Sequence, residues 1–69
     1  MKKLTQLEAD VYKFICDYWE TNSFSPSIND IAKGCFISYS TAYDYLHKLF
    51  DKGYVYFVPK IPRSITVKQ

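Results

Sequence analysis

Polar side chains that can pair with the edges of nucleic-acid bases recur between residues 39 and 47, at the spacing of one helix face. They are Tyr39, Ser40, Thr41, Tyr43, Asp44 and His47, with Thr41 at the edge of the face. Hydroxyl and imidazole groups can donate or accept a hydrogen bond, and a tyrosine ring can also cover a thymine methyl group. Arginine and asparagine, the strongest base-reading residues, do not occur on this face, so we expect modest specificity from one copy.

Each of these side chains also has a plainer interpretation. A tyrosine on a helix more often packs or joins a protein interface than contacts a base. For Tyr43 the sequence therefore supports a DNA contact and a protein contact about equally. The carboxylate of Asp44 can accept from cytosine, but its charge opposes a groove lined with phosphates. For Asp44 and His47 the pattern favours solvated surface residues.

A second set of residues can hold phosphate groups: Ser27, Lys48, Lys52, Lys60 and Arg63. Ser27 precedes a predicted helix whose first backbone N–H groups suit an anion. Lys60 and Arg63 fall on a predicted hairpin tip that can reach the backbone or a minor groove, and the planar fork of Arg63 matches phosphate geometry. Such contacts fix position without reading sequence. A solvated loop or a strand edge guarded by lysines explains Lys60 and the other tail lysines equally well.

Residues for catalysis or metal binding do not cluster in this chain. His47 is the only histidine and has no nucleophile at a sensible spacing, and Gly34 and Gly53 are too few for a phosphate loop. Cys16 and Cys35 lack the Cys-x-x-Cys spacing of a metal site and are typical of ordinary buried thiols, with a disulfide as the lesser alternative. We therefore expect neither an enzyme nor a cofactor or metal.

Size and charge set the class of protein. The chain has 69 residues, 48% of them hydrophobic, which predicts one globular domain over residues 1–69. Its net charge is only +2, although every charged residue after Asp51 is basic. No apolar run approaches the roughly 18 residues of a membrane span, and no signal core follows the basic start, so we expect a cytoplasmic protein without a membrane partner.

Apolar periodicity predicts the elements that position these residues. Helices are expected over about 5–21, 28–34 and 39–52, and a hairpin over about 54–68, with strands Tyr54–Val58 and Ser64–Val67 and a tip bounded by Pro59 and Pro62. Thr5 with Glu8, and Ser27 with Asp30, predict capping boxes for the first two helices. The third helix buries Ala42, Leu46 and Leu49. The predicted fold is mainly α with a small β-hairpin, a three-helix winged helix-turn-helix.

Four segments in this order resemble the N-terminal DNA-binding domain of LexA-type repressors. They are Leu4-Thr5 with Glu8, Val11, Phe14 and Ile15; Ser25-Pro26-Ser27-Ile28-Asn29-Asp30-Ile31-Ala32; Ser40-Thr41-Ala42 with Leu46, Leu49 and Lys52-Gly53-Tyr54-Val55; and Pro62-Arg63-Ser64-Ile65. They are similar to the family's opening helix, its Pro-Pro-Ser-Ile-Arg-Glu-Ile-Ala segment, its recognition helix and its Pro-Arg-Ala-Ile wing. The resemblance implies sequence-specific binding of double-stranded DNA and places Arg63 in the wing.

The sequence also departs from the family. Phe36 occupies the turn position that usually carries glycine, and Tyr39 and Tyr43 stand where small or polar groups are common. LexA-type repressors carry a second domain for self-cleavage, which this sequence does not include. We therefore expect either a small stand-alone regulator, such as a phage-encoded one, or a piece of a longer protein.

Two functions from different classes follow. The first is a DNA-binding transcriptional regulator, a repressor by resemblance. One such module buries only about 600–1,000 Å² on DNA, so useful affinity implies a homodimer on two half-sites. The second is a small winged-helix protein that binds a host regulatory protein through a face rich in tyrosine, of which the chain has seven.

Overall fold

Three helices precede a two-stranded antiparallel hairpin, which confirms the predicted fold class. The computed structural model describes residues 3–58, 60–61 and 63–68, so Pro59 and Pro62 lie outside the described residues. The elements are α1 (Gln6–Asn22), α2 (Ile28–Cys35), α3 (Tyr39–Asp51), β1 (Val55–Tyr56) and β2 (Thr66–Val67). Val55 pairs with Val67, and Tyr56 with Thr66. None of the helices in these ranges is long and apolar enough to cross a bilayer.

Short polar side chains fix where the helices begin. At α1 the backbone N–H of Thr5 donates to Glu8 over 2.8 Å, and at α2 that of Ser27 donates to Asp30 over 3.0 Å. Each hydroxyl in turn accepts from the backbone of its partner, so both predicted capping boxes are confirmed. The hydroxyl of Ser38 accepts from Thr41 and caps α3. Each cap satisfies backbone N–H groups that would otherwise lack a partner inside the helix.

One apolar core joins all the elements. Its buried members are Val11, Ile15, Ile31, Ala32, Ala42, Leu46, Leu49, Val55, Phe57 and Ile65. Each large aliphatic side chain buried in this way stabilises the fold by about 1.5–3 kcal/mol. Where α1 crosses α2 the contact is so close that a Cβ at Gly34 would lie 2.1 Å from the Phe14 ring. Glycine at position 34 therefore permits this helix pair to pack.

The wing is shorter than the sequence predicts, with two-residue strands in place of Tyr54–Val58 and Ser64–Val67. Side chains take the backbone groups that would have extended the ladder. The N–H of Val58 donates to the hydroxyl of Ser64 over 2.9 Å. The N–H of Ile65 donates to the hydroxyl of Ser25 over 3.1 Å, and its carbonyl accepts from the indole of Trp19 over 3.0 Å. The hairpin is thus held by the helices as much as by its own strands.

Each of the three helices is followed by a left-handed residue, the first being Ser23 after α1, at φ 60°. Gly53, at φ 86°, follows α3, and the N–H of Tyr54 reaches back to the carbonyl of Leu49, which confirms the predicted stop at glycine. Phe36 takes the same role after α2, at φ 58° and ψ 44°, although it carries a side chain. The residue is 95% exposed, so no packing compensates the backbone strain.

Replacing Phe36 with glycine is expected to raise the free energy of unfolding by about 1 kcal/mol, because glycine adopts positive φ without a steric cost. Urea unfolding followed by circular dichroism measures the change. Phe36→Ala is the matched control, since alanine removes the ring and keeps the strain. Equal stability of the two variants would show that the backbone conformation at residue 36 costs nothing.

Candidate nucleic-acid interface

The predicted base-reading residues on α3 divide into an open group and a covered group. Tyr39, Ser40 and Asp44 are exposed, Tyr39 with 53% of its surface accessible. Thr41 is half-buried, and its hydroxyl oxygen accepts from Ser38 over 2.8 Å. A hydroxyl oxygen used in this way can still donate its own proton to a partner. The first two turns of α3 therefore offer the open hydrogen-bonding groups of this helix face.

Tyr43 and His47 lie partly under the wing, which corrects the prediction that they face solvent. Their rings meet edge to face with centroids 4.6 Å apart, and both pack on Phe57 at 6.4 and 5.2 Å. Phe57 itself is buried, directly after β1. The prediction placed Phe57 on a strand and did not account for its ring turning back onto α3. His47 is consequently half-buried, not the solvated residue that its type favoured.

Lys52, a predicted phosphate ligand, is engaged by partners within the domain. Its ammonium lies 2.5 Å from a carboxylate oxygen of Glu8 and 3.1 Å from the carbonyl of Lys3. Glu8 is buried, and the hydrogen bond from Lys52, ahead of the one from the backbone of Thr5, lowers the pKa of its carboxyl. This ion pair joins the end of α3 to the start of α1. It spans 44 residues, so no local pattern could reveal it.

Arg63 also finds partners within the domain. Its Nη1 donates to the carbonyl of Ser25 over 2.9 Å and to the hydroxyl of Tyr18 over 3.2 Å. The same nitrogen lies 3.0 Å from a carboxylate oxygen of Asp30, and the guanidinium covers the ring of Phe24 at 5.1 Å. The sequence predicted a free phosphate ligand here, whereas this nitrogen faces acceptors of the protein itself.

The start of α2 is less open to anions than its position predicts. The N–H of Ser27 is taken by the carboxylate of Asp30, and that hydrogen bond is the first cause of a lowered Asp30 pKa. A carboxylate at this point already complements the positive end of the helix. Lys48 and Lys60 remain exposed, the first with its ammonium 4.9 Å from the centre of the Tyr45 ring.

A cleft of about 260 Å³ brings the two predicted sets together. It lies between the start of α2, the start of α3 and the hairpin tip. Its polar and basic lining includes Ser27, Asn29, Tyr39, Lys60 and Arg63, with Leu46, Phe57 and Ile65 from the core among its apolar walls. One predicted base-reading residue, Tyr39, thus shares a surface with three of the phosphate-binding candidates. Lys48 and Lys52 do not line it.

Asn29 is a polar lining residue that the predicted site did not include. It is exposed on the first turn of α2, beside Ser27. The signal was present in the family resemblance, because the Ser-Ile-Arg-Glu of the family motif becomes Ser27-Ile28-Asn29-Asp30 here. An amide therefore occupies the position of an arginine, and it can donate or accept without adding charge.

Comparison with known proteins decides the family. The sequence model of the LexA DNA binding domain family matches residues 1–64 of the chain. The chain belongs to this family. It is 42% identical to a LexA repressor of Thermosipho melanesiensis over 67 residues and 31% identical to one of Staphylococcus aureus over 68 residues. These matches cover 97% of the chain but 34% and 33% of the relatives. The chain therefore spans about a third of the length of the curated relatives it matches.

The Glu8–Lys52 ion pair is expected to influence how the stability of the domain falls at acid pH. The carboxyl of Glu8 has a lower pKa folded than its ordinary value of 4.5, so the unfolded chain binds this proton first as the pH falls. Its contribution to stability is complete above that value and is lost as the pH drops through the folded pKa. Lys52→Met is expected to lower stability at pH 7 and to flatten its decline between pH 5 and pH 3.

Urea midpoints measured across this pH range test the pair. The pKa of Asp30 is also lowered, so part of the decline in stability at acid pH is expected to remain in every variant. Lys48→Met is the matched control, because it removes an exposed ammonium from the same helix. If Lys52→Met declines as steeply as the wild type, the Glu8 carboxyl does not depend on Lys52.

Proposed function

We propose that this domain binds double-stranded DNA in a sequence-specific way and serves as the reading module of a transcriptional repressor. In this proposal α3 enters the major groove, and the wing contacts the backbone or the minor groove. The observation that carries it is the cleft, where the exposed start of α3 and the basic hairpin tip meet. Membership of the LexA DNA-binding domain family supports the same assignment.

Base reading falls to the first turns of α3. Tyr39, Ser40 and Asp44 are exposed, and they supply hydroxyl donors and acceptors together with one carboxylate. Tyr43 and His47 support the surface from beneath through their contacts with Phe57, and their accessible edges remain candidates for contact. A single serine or tyrosine contact discriminates between bases less strongly than a bidentate arginine or asparagine. We therefore propose that each copy reads its half-site with modest specificity.

Phosphate contacts come from fewer residues than the sequence predicts. Lys60 and Lys48 are exposed, and the second residue of α2, Asn29, lies in the cleft beside its N-terminal backbone groups. Lys52 is not included among the proposed phosphate contacts because its ammonium pairs with Glu8. Each neutralised phosphate adds about 0.9 to the slope of log affinity against log salt. The two lysines therefore predict a shallow slope, of magnitude about 2, for one copy.

Repression and dimerisation are the part of the proposal that rests on the relatives. The similar proteins are named LexA repressor, and the chain matches about a third of each. A single module with a small footprint on DNA needs a second copy for useful affinity. We propose a homodimer on two half-sites about one helical turn apart.

The alternative, binding to a host regulatory protein through a tyrosine-rich face, draws less support. Only Tyr39 and Tyr56 are exposed among the seven tyrosines. Several of the others meet rings within the domain, as Tyr12 does with Tyr54 and Tyr18 with Phe24. Their aromatic area is used to complete a small core, so it is not gathered into one open face.

Selection from a random duplex library, followed by titration from about 50 to 200 mM salt, tests the proposal. Ser40→Ala is expected to weaken the selected duplex about five-fold and to leave unrelated duplexes unchanged, because it removes a base contact. Lys60→Ala is expected to weaken all duplexes and to reduce the salt slope by about 1.

The control is Asp17→Asn on α1, whose carboxylate pairs with Lys13 away from the cleft. It should bind as the wild type does. Equal affinity for every duplex that vanishes at physiological salt would refute sequence-specific binding. Recovery of one stoichiometric protein from nuclease-treated extract, with no selected duplex, would favour the host-protein alternative.

A further inference from the structure

We propose that Arg63 is a positioning residue, which fastens the wing to the start of α2 and makes no phosphate contact of its own. The inference rests on the proposed DNA binding. It explains what holds the wing and the start of α2 at a fixed distance across the cleft. A basic residue on a wing would ordinarily be counted among the phosphate ligands, as it was from the sequence. The contacts of Arg63 indicate a different role.

The first argument is that the strand ladder is too short to fix the hairpin tip. Only two residue pairs join β1 to β2. An isolated two-stranded hairpin is at best marginally stable in water, and a ladder of this length is weaker still. Lys60, at the tip, is expected to face a duplex only if other contacts hold the wing in place.

Ser25 supplies one anchor for those contacts. It is buried between α1 and α2, at 3% exposure. Its carbonyl accepts from Arg63, and its hydroxyl accepts from the backbone N–H of Ile65. The indole of Trp19 adds a third bond, to the carbonyl of Ile65. The returning arm of the wing is therefore attached at two residues, and Arg63 is the one nearer the tip.

Asp30 connects this anchor to the start of α2. One oxygen of its carboxylate accepts from the N–H of Ser27 and lies 3.0 Å from Nη1 of Arg63. The group that closes the α2 capping box thus also pairs with the wing. Because Ser27 and Arg63 both line the cleft, this shared carboxylate sets the distance between its two walls.

The backbone of Arg63 agrees with an anchored side chain. Its φ is 57°, in the left-handed region that residues other than glycine adopt uncommonly and at a cost in energy. A phosphate would have to compete with Asp30 for a guanidinium whose charge is already paired. A positioning role and a phosphate-binding role for Arg63 therefore predict opposite effects of removing the Asp30 charge on DNA affinity. That difference provides the test.

Arg63→Met and Asp30→Asn, singly and together, form the central experiment. Asparagine keeps an oxygen for the N–H of Ser27 and removes the charge that pairs with Arg63. If Arg63 positions the wing, each single variant weakens the selected duplex about ten-fold, the double variant is no weaker than either, and the salt slope is unchanged. Lys13→Met with Asp17→Asn, an exposed pair on α1, is the matched control and should leave affinity unchanged.

A phosphate role for Arg63 gives the opposite pattern. Asp30→Asn would then tighten binding, because it removes a negative charge near the duplex, and Arg63→Met would reduce the salt slope by about 1. Either result would overturn the positioning role.

Hydrogen exchange at Trp19 tests the same inference without DNA. Trp19 is the only tryptophan, and its indole N–H bonds to the wing at Ile65. In Arg63→Met the exchange of this proton is expected to accelerate about ten-fold, while the backbone amides of Ile15 and Leu46 stay protected. Tyr18→Phe, which removes one hydrogen bond to Arg63, should give a smaller acceleration and covers the case in which Arg63→Met does not fold.

Unchanged exchange at Trp19 in these variants would refute the positioning role directly. If the wild type selects no duplex but Trp19 responds as expected, the proposed function fails while the attachment of the wing stands. The two ideas are therefore separable.

Discussion

The burial of one stripe of α3 fixes the geometry on which the rest of this domain depends. Ala42, Leu46 and Leu49 are fully inaccessible, packed among residues of α1, α2 and the hairpin. Because a helix has 3.6 residues per turn, this stripe determines which side chains of α3 remain outside. The open face of its first turns and the covered position of Tyr43 both follow from that rotation.

A second constraint is that a 69-residue chain must complete a core with little aliphatic material. Aromatic rings fill the remaining volume, and they meet mostly edge to face, as Phe50 does with both Tyr56 and Phe57. Basic side chains are used in a similar way. Lys52 and Arg63 each hold two distant segments together through a carboxylate, so the positive charge available for a partner is smaller than the composition implies.

Local signals in the sequence were sufficient for the helices. The capping boxes at Thr5 and Ser27, the stripe of Ala42, Leu46 and Leu49, and the stop at Gly53 each depend on residues within one or two turns. The site was harder to predict, because its decisive contacts join residues far apart in the chain. The pairing of Lys52 with Glu8 and the packing of Phe57 on His47 produce no periodic pattern in the sequence. The strands were overestimated because β-propensity cannot show that the hydroxyls of Ser25 and Ser64 bind the backbone N–H groups of Ile65 and Val58, in place of a longer ladder.

The ring of Phe36 has a thermodynamic consequence of its own. With 95% of its surface in water, it is hydrated to nearly the same extent in the folded and unfolded chains. The heat capacity of unfolding arises from surface that becomes exposed, so this phenyl group contributes almost nothing to it. The denaturant dependence of stability is insensitive to the ring for the same reason. Position 36 thus shifts the stability curve of the domain up or down and leaves its curvature unchanged.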